Sequence, residues 1–175
     1  MIWALILTAI IAYLLGSISF SIIFTKKFAG FDVRQKGSGN AGSTNVLRTA
    51  GKKPAILTLI CDVLKGVVAV LVAFLMGKIA NADVWNAALL IQIAGVCVVL
   101  GHTFPIFFGF KGGKGVATAL GVLLITNWQI GLICLVFALV LMAITRIVAL
   151  GSIAAAILFP VLCFFITNNF LVGDS

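Results

Sequence analysis

The stretch Pro54–Met76, PAILTLICDVLKGVVAVLVAFLM, decides the fold class. It is longer than the roughly 20 residues that a helix needs to cross a bilayer. Its only charges are Asp62 and Lys65. Each charge alone at the centre of a spanning helix costs roughly 2.5–3.5 kcal/mol on insertion scales. Three residues apart, the two side chains share a helix face. The economical reading is a mutual pair turned into a helix bundle, structural first and substrate-lining second.

Working outward, five further apolar stretches run over Trp3–Phe24, Val84–Leu100, Val116–Thr126, Trp128–Thr145 and Ile147–Ile166. The 175 residues are 63% hydrophobic and 9% charged, against about 25% charged in a soluble domain. Four acids, none of them glutamate, stand against twelve bases, for a net charge of +8. This excludes an acidic disordered tail, a carboxylate-rich metal cage and a soluble enzyme with many acid/base options. The expectation is an all-α polytopic membrane protein with six transmembrane or half-membrane helices in one domain over residues 1–175. The first stretch lacks a basic n-region and a small-residue cleavage site, so it reads as a retained span. The fourth is short, either a half-helix or a span completed by Gly112–Gly115. Non-helical backbone at membrane depth is tolerated only when buried in protein or lining a wet cavity. Cys61, Cys97, Cys134 and Cys163 sit singly in separate apolar stretches and read as small buried hydrophobes.

The bases share one side. Lys26, Lys27, Arg34, Lys36, Arg48, Lys52 and Lys53 lie between the first two stretches, Lys111 and Lys114 between the third and fourth, and Arg146 between the fifth and sixth. The opposite connections hold only Lys78 and Asp83. The positive-inside rule then predicts cytoplasmic basic loops, with the N-terminus and the visible C-terminus outside.

Each basic loop carries anion chemistry. The first contains Gly37-Ser38-Gly39-Asn40-Ala41-Gly42-Ser43-Thr44-Asn45-Val46-Leu47-Arg48, where glycines allow close backbone approach to a ligand and arginine offers a planar fork for phosphate. The second runs from Gly101-His102-Thr103-Phe104-Pro105 to Lys111-Gly112-Gly113-Lys114-Gly115-Val116-Ala117-Thr118. It reads as a phosphate loop opening a helix, where free N–H groups and the helix dipole favour an anion. It is not a Walker A loop: Phe108 and Gly115 stand where that pattern needs glycine and a hydroxyl. Nucleotide hydrolysis is disfavoured. The Phe104–Phe110 run suggests a place where an acyl chain meets a phosphate. The third loop, Arg146–Ser152, adds the Ser152 hydroxyl.

At these residues the sequence resembles the bacterial membrane glycerol-3-phosphate acyltransferases of the PlsY type, which use acyl phosphate as donor. The resemblance runs from Tyr13-Leu14-Leu15-Gly16-Ser17-Ile18 through the three loops and includes Asp62-Val63-Leu64-Lys65-Gly66. It implies transfer of an acyl group to the 1-hydroxyl of glycerol 3-phosphate, giving lysophosphatidic acid and phosphate, the first step of phospholipid synthesis. It also implies a site on the cytoplasmic side of the bacterial inner membrane and a seven-helix family fold, so a further C-terminal helix is expected beyond the six read here. Members often carry serine at the position of Ala149, and only Ser152 is carried over.

The expected partners are therefore acyl phosphate, glycerol 3-phosphate and the lipid bilayer, with no nucleic acid and no stated oligomeric state. Acyl phosphate is already activated, so positioning two repelling anions and stabilising the departing phosphate are the main tasks. The loops lack carboxylates for magnesium, and no metal or cofactor is expected. Arg48, Lys114 and Ser152 would hold phosphate, with Lys111 a further candidate. Ser38, Asn40 and Asn45 would shape the cavity, while Gly112, Gly113 and Gly115 would open backbone donors. Ser38 and His102 are the candidate catalytic residues, Ser38 as a nucleophile without a sequence-adjacent activator. His102 could take the hydroxyl proton, but no acid lies near it in sequence, which favours a substrate phosphate as base. The competing class is a small membrane transporter or binder of organic phosphates.

Overall fold

The computed structural model describes residues 1–172, with side chains for residues 1–165. Every regular element among them is helical. The chain packs as two compact units, Met1–Val122 and Leu123 onward.

In the first unit, α1 (Ile2–Gly16), α2 (Phe20–Ala29), α4 (Lys52–Ile79) and α5 (Val84–Thr103) supply the apolar helices. The short α3 (Ser43–Ala50) lies in the first loop, and α6 (Val116–Thr126) leads out of the unit. Helix α1 packs on α5 and α4, and α4 on α5 and α2. The interior is made of small side chains: Ala4, Thr8, Ala12 and Gly16 on α1, Ala69 and Ala73 on α4, and Ala94, Val98 and Gly101 on α5. Large ones point outward, including Ile6, Ile10 and Leu14 on α1 and Leu64, Leu71 and Leu75 on α4. Water would penalise that inversion. Lipid tails do not, because they are as apolar as leucine, and helices then associate through close packing at small residues.

The crossings are close enough for main chains to touch. A methyl group on Gly16 would overlap the Val98 carbonyl, and one on Gly101 the Tyr13 carbonyl. Helices α4 and α6 meet likewise, with Gly66 against the Thr118 carbonyl and Gly121 against that of Val63. These contacts draw the neighbouring Lys65, His102 and Thr118 into the interior, where all three are buried.

Among the described residues five helical stretches are long and apolar enough to span a membrane, namely Ile2–Ala29, Lys52–Ile79, Val84–Phe108, Trp128–Thr145 and Val148–Phe165, and Val116–Thr126 is a shorter sixth. The protein is thus a multi-pass membrane protein of the expected all-α class.

Four details differ from or decide the sequence reading. The first span breaks at Ser17–Ser19, where the Ser17 hydroxyl donates to the Tyr13 carbonyl at 2.8 Å. Lys65 Nζ donates to the freed carbonyls of Gly16 and Ile18, both at 3.0 Å. Next, α5 continues through Gly101, His102 and Thr103, so His102 is a helical residue rather than a loop one. Gly112–Gly115 is not helical, and Gly115 has φ +76°, which leaves α6 as a half-length helix. Finally, Ser152 lies inside α8 (Val148–Val172), not in a loop.

In the second unit α7 (Trp128–Thr145) packs on α8. Asn127 caps α7 by accepting the Ile130 N–H at 3.1 Å, and Arg146 makes the turn with φ +59°. A methyl group on Gly151 would meet the Ala138 carbonyl at 2.7 Å, so this pair also closes at a small residue.

Candidate active site

The first loop is organised by Asn45, which is 2% exposed at the start of α3. Its Oδ1 accepts the Ser38 N–H at 3.0 Å. Its Nδ2 donates to the carbonyls of Val33, Lys36 and Asn40 at 3.0–3.1 Å. One side-chain amide thus folds the Val33–Asn40 segment around itself. Asn45→Ala leaves these partners without that amide, and each buried group so orphaned costs about 1–3 kcal/mol. We expect Asn45→Ala to lower unfolding free energy by at least about 2 kcal/mol, read by denaturant titration in detergent.

Arg34 ties this loop to the second one. Its Nε and Nη2 grip Asp32 Oδ1 and Oδ2 at 3.0 and 2.8 Å. Its Nη1 crosses to the carbonyls of Phe108 at 2.6 Å and Lys111 at 3.2 Å. The bidentate pair depends on the planar guanidinium, which an ammonium cannot imitate. Hydrogen bonding from Arg34 lowers the Asp32 pKa from the usual 3.8, against the opposing effect of burial. Asp32 therefore contributes stability that is fully present above pH 3.8 and is lost as pH falls through its lower folded-state value. In Asp32→Asn that acid-sensitive contribution is absent. The variant is expected to be less stable at neutral pH and to lose less on acidification below about pH 4, measured by thermal unfolding across pH.

The second loop turns back on the end of α5. Gly112 N–H donates to the Thr103 carbonyl and Gly113 N–H to the His102 carbonyl, both at 3.1 Å. Ala41 N–H reaches the Gly112 carbonyl at 3.4 Å, so the two loops meet here. These bonds correct one expectation: the Gly112 and Gly113 N–H groups serve the turn itself and are not open to a ligand. The open donors lie further on. The first helical bond of α6 runs from Ala119 N–H to Gly115 O at 2.8 Å. The N–H groups of Val116, Ala117 and Thr118 therefore lie outside the ladder, as at any helix start.

Below the turn is a buried charged cluster. Lys65 Nζ lies 2.9 Å from Asp62 Oδ1, so the pair read from the sequence forms. The same oxygen faces His102 Nδ1 at 3.5 Å. The side chains are 4%, 2% and 7% exposed, respectively. His102 thus has an acid beside it, supplied by α4 rather than by its own segment. Its other nitrogen lies against the second loop: a methyl group on Gly113 would overlap Nε2 and meet the Ala41 carbonyl at 2.7 Å.

Arg48 at the end of α3 and Lys111 and Lys114 in the second loop are exposed. Among the described residues none of the three is paired with a carboxylate. Ser38 is exposed as well, and Asn40 is half-buried. Ser152 belongs to the second unit, where its hydroxyl donates to the Ala149 carbonyl at 2.9 Å. Sequence reasoning missed Arg34 as the link between loops and Asp62 as the partner of His102. The Asp32-x-Arg34 spacing is a signal for the first. The second needs the α4–α5 packing and has no local signal.

The site is therefore a helical membrane scaffold with two glycine-rich basic loops folded together at the start of a half-length helix. A profile of the family described as "Glycerol-3-phosphate acyltransferase" matches residues 6–173. A glycerol-3-phosphate acyltransferase of Clostridioides difficile (strain 630) is 47% identical over 168 residues, covering 96% of this chain and 81% of the relative. One from Cereibacter sphaeroides (strain ATCC 17029) is 48% identical over 154 residues, covering 88% and 72%. Among solved structures, the glycerol 3-phosphate form of PlsY (YgiH), an integral membrane glycerol 3-phosphate acyltransferase, superposes with a TM-score of 0.80 at 42% identity. It is matched over 92% of this chain and 76% of that one. The lysophosphatidic acid form gives 0.77 at 40% identity with the same coverage. The chain belongs to the glycerol-3-phosphate acyltransferase family.

Proposed function

We propose that this protein transfers an acyl group from acyl phosphate to the 1-hydroxyl of glycerol 3-phosphate, giving lysophosphatidic acid and inorganic phosphate. The relatives' names and the two ligand forms of PlsY support the acceptor and the product. The observation that carries the reading is the meeting of the two loops. Ala41 and Arg34 bind the Phe108–Gly112 segment, beside a helix start with free N–H groups and cations that no carboxylate among the described residues neutralises. Such a site suits phosphate groups.

In the transfer, the 1-hydroxyl oxygen bonds to the acyl carbonyl carbon, and the bond from that carbon to the phosphate oxygen breaks. The phosphate departs with the bonding electrons. Arg48 and Lys114 hold phosphate, Lys111 assists, and the α6 N–H groups after Gly115 complete the cradle. Asn40 and Ser38 line the first loop and orient the acceptor. The adjacent acid gives His102 the equipment of a base, but its side chain is only 7% exposed, with Nε2 against Gly113. The proton therefore goes to a substrate phosphate, and His102 supports the turn. Among the described residues no base is hydrogen-bonded to the Ser38 hydroxyl to activate it as a nucleophile, and Ser38 serves as a hydrogen-bonding group.

The basic loops face the cytoplasm, where glycerol 3-phosphate is available, and the membrane is the bacterial inner membrane. The excess of Lys and Arg on one set of connections supports that orientation. A charge-assisted hydrogen bond is worth about 1.5–3 kcal/mol. Arg48→Ala and Lys114→Ala should therefore each lower kcat/KM for glycerol 3-phosphate roughly 10- to 100-fold. Unchanged rates would remove these residues from the phosphate site. The donor is tested by offering acyl phosphate, acyl-CoA and acyl carrier protein thioester to the reconstituted protein. Product from acyl phosphate alone is expected, and equal use of a thioester would overturn the donor assignment.

A further inference from the structure

The transfer as described makes no use of Asp62, although burying a carboxylate in a membrane helix is costly. Its surroundings assign it a task. Lys65 Nζ donates to the Gly16 and Ile18 carbonyls and forms an ion pair with Asp62 Oδ1 at 2.9 Å. Its side chain is only 4% exposed, so Lys65 is engaged inside the bundle. It both neutralises Asp62 and fixes it in place against the break between α1 and α2.

Asp62 Oδ1 in turn faces His102 Nδ1 at 3.5 Å, and neither atom has a hydrogen-bond partner among the described residues. A neutral imidazole carries its proton on one nitrogen, and the neighbours decide which. With the proton on Nε2, the Nδ1 lone pair would face a carboxylate oxygen, and the two would repel. With the proton on Nδ1, the positive end of an N–H dipole lies beside the anion. The carboxylate therefore selects the second form and with it the ring plane. The other edge of that ring is the floor on which Gly113 rests, and the His102 carbonyl holds Gly113 N–H. Ring and main chain of one residue together define the turn.

We propose that Asp62 is a positioning residue: held by Lys65, it sets the tautomer and orientation of His102 and so the shape of the Gly112–Gly115 phosphate turn. The inference rests on the reading of that turn as a phosphate site. It predicts that Asp62 governs affinity for glycerol 3-phosphate more than the rate of the transfer itself.

His102 is the chain's one histidine, so ¹⁵N labelling of histidine in untagged protein reports a single ring. The neutral ring is expected in the Nδ1–H form in the wild type, whereas a predominantly Nε2–H ring overturns the proposal without any variant. Asp62→Leu/Lys65→Met removes both charges together. We expect it to lose the Nδ1–H preference and to raise KM for glycerol 3-phosphate at least tenfold, with kcat changed only a few-fold. A double variant with wild-type KM, or with kcat alone reduced, contradicts the assignment. Lys114→Ala separates the two levels. If it leaves KM for glycerol 3-phosphate unchanged, the phosphate-site reading fails. If it raises KM while the double variant does not, only the role of Asp62 fails.

Discussion

Gly113→Ala is expected to lower kcat/KM for glycerol 3-phosphate by on the order of 10²-fold or more, since misplacing a bound group by about 1 Å costs that much. The added methyl would overlap His102 Nε2 on one side and press on the Ala41 carbonyl on the other. The first neighbour is a buried ring packed over Asp62, and the second is the main chain of the opposing loop. Neither can swing aside as the end of a flexible side chain could. The turn must therefore lift, breaking the 3.1 Å bond from Gly113 N–H to the His102 carbonyl and the contact through which the first loop joins the second. Gly109→Ala provides the contrast, because a methyl there meets nothing within 4 Å and only its φ of +67° is strained. It should cost far less. Steady-state kinetics with both variants checks the prediction, and equal effects would show that the tight contact at Gly113 is not the cause.

The second large effect concerns stability. Removing one partner of a buried ion pair leaves an uncompensated charge and typically costs about 3–5 kcal/mol. Lys65→Met leaves Asp62 alone in the interior and also strips the Gly16 and Ile18 carbonyls of their donor. We expect it to lose at least about 3 kcal/mol of folding free energy, or to fail to accumulate in the membrane. Asp62→Leu/Lys65→Met should be more stable than Lys65→Met alone, because replacing both members of a buried pair by apolar residues is often close to neutral. The two carbonyls still lack a partner, so recovery stays incomplete. Unfolding in mixed micelles across the cycle measures the coupling, and additive losses would mean that the pair does not act as a unit.

The sequence carried the helix pattern because a membrane helix writes its length and composition directly into the chain. Pro54–Met76 and Trp128–Thr145 needed only a count of apolar residues. The break at Ser17–Ser19 was not legible, since serine is tolerated within spanning helices and the stabilising donor, Lys65, comes from another helix. The Asp62–Lys65 pair could be read because helical spacing alone brings the two together. The Asp62–His102 approach could not, because it depends on the packing of α4 and α5 in one bundle. The anion loops showed as clusters of glycine, asparagine and base. Their internal bonding did not, and Gly112 and Gly113, which read as open donors, turned out to spend their N–H groups on the end of α5.

The most direct test reconstitutes the purified chain in lipid vesicles with acyl phosphate and labelled glycerol 3-phosphate, and follows lysophosphatidic acid and inorganic phosphate together. Both should appear in equal amounts, neither should form without glycerol 3-phosphate, and the label should end in lipid. Label accumulating inside the vesicles as unchanged glycerol 3-phosphate, with no lysophosphatidic acid formed, would contradict it and point to a transporter.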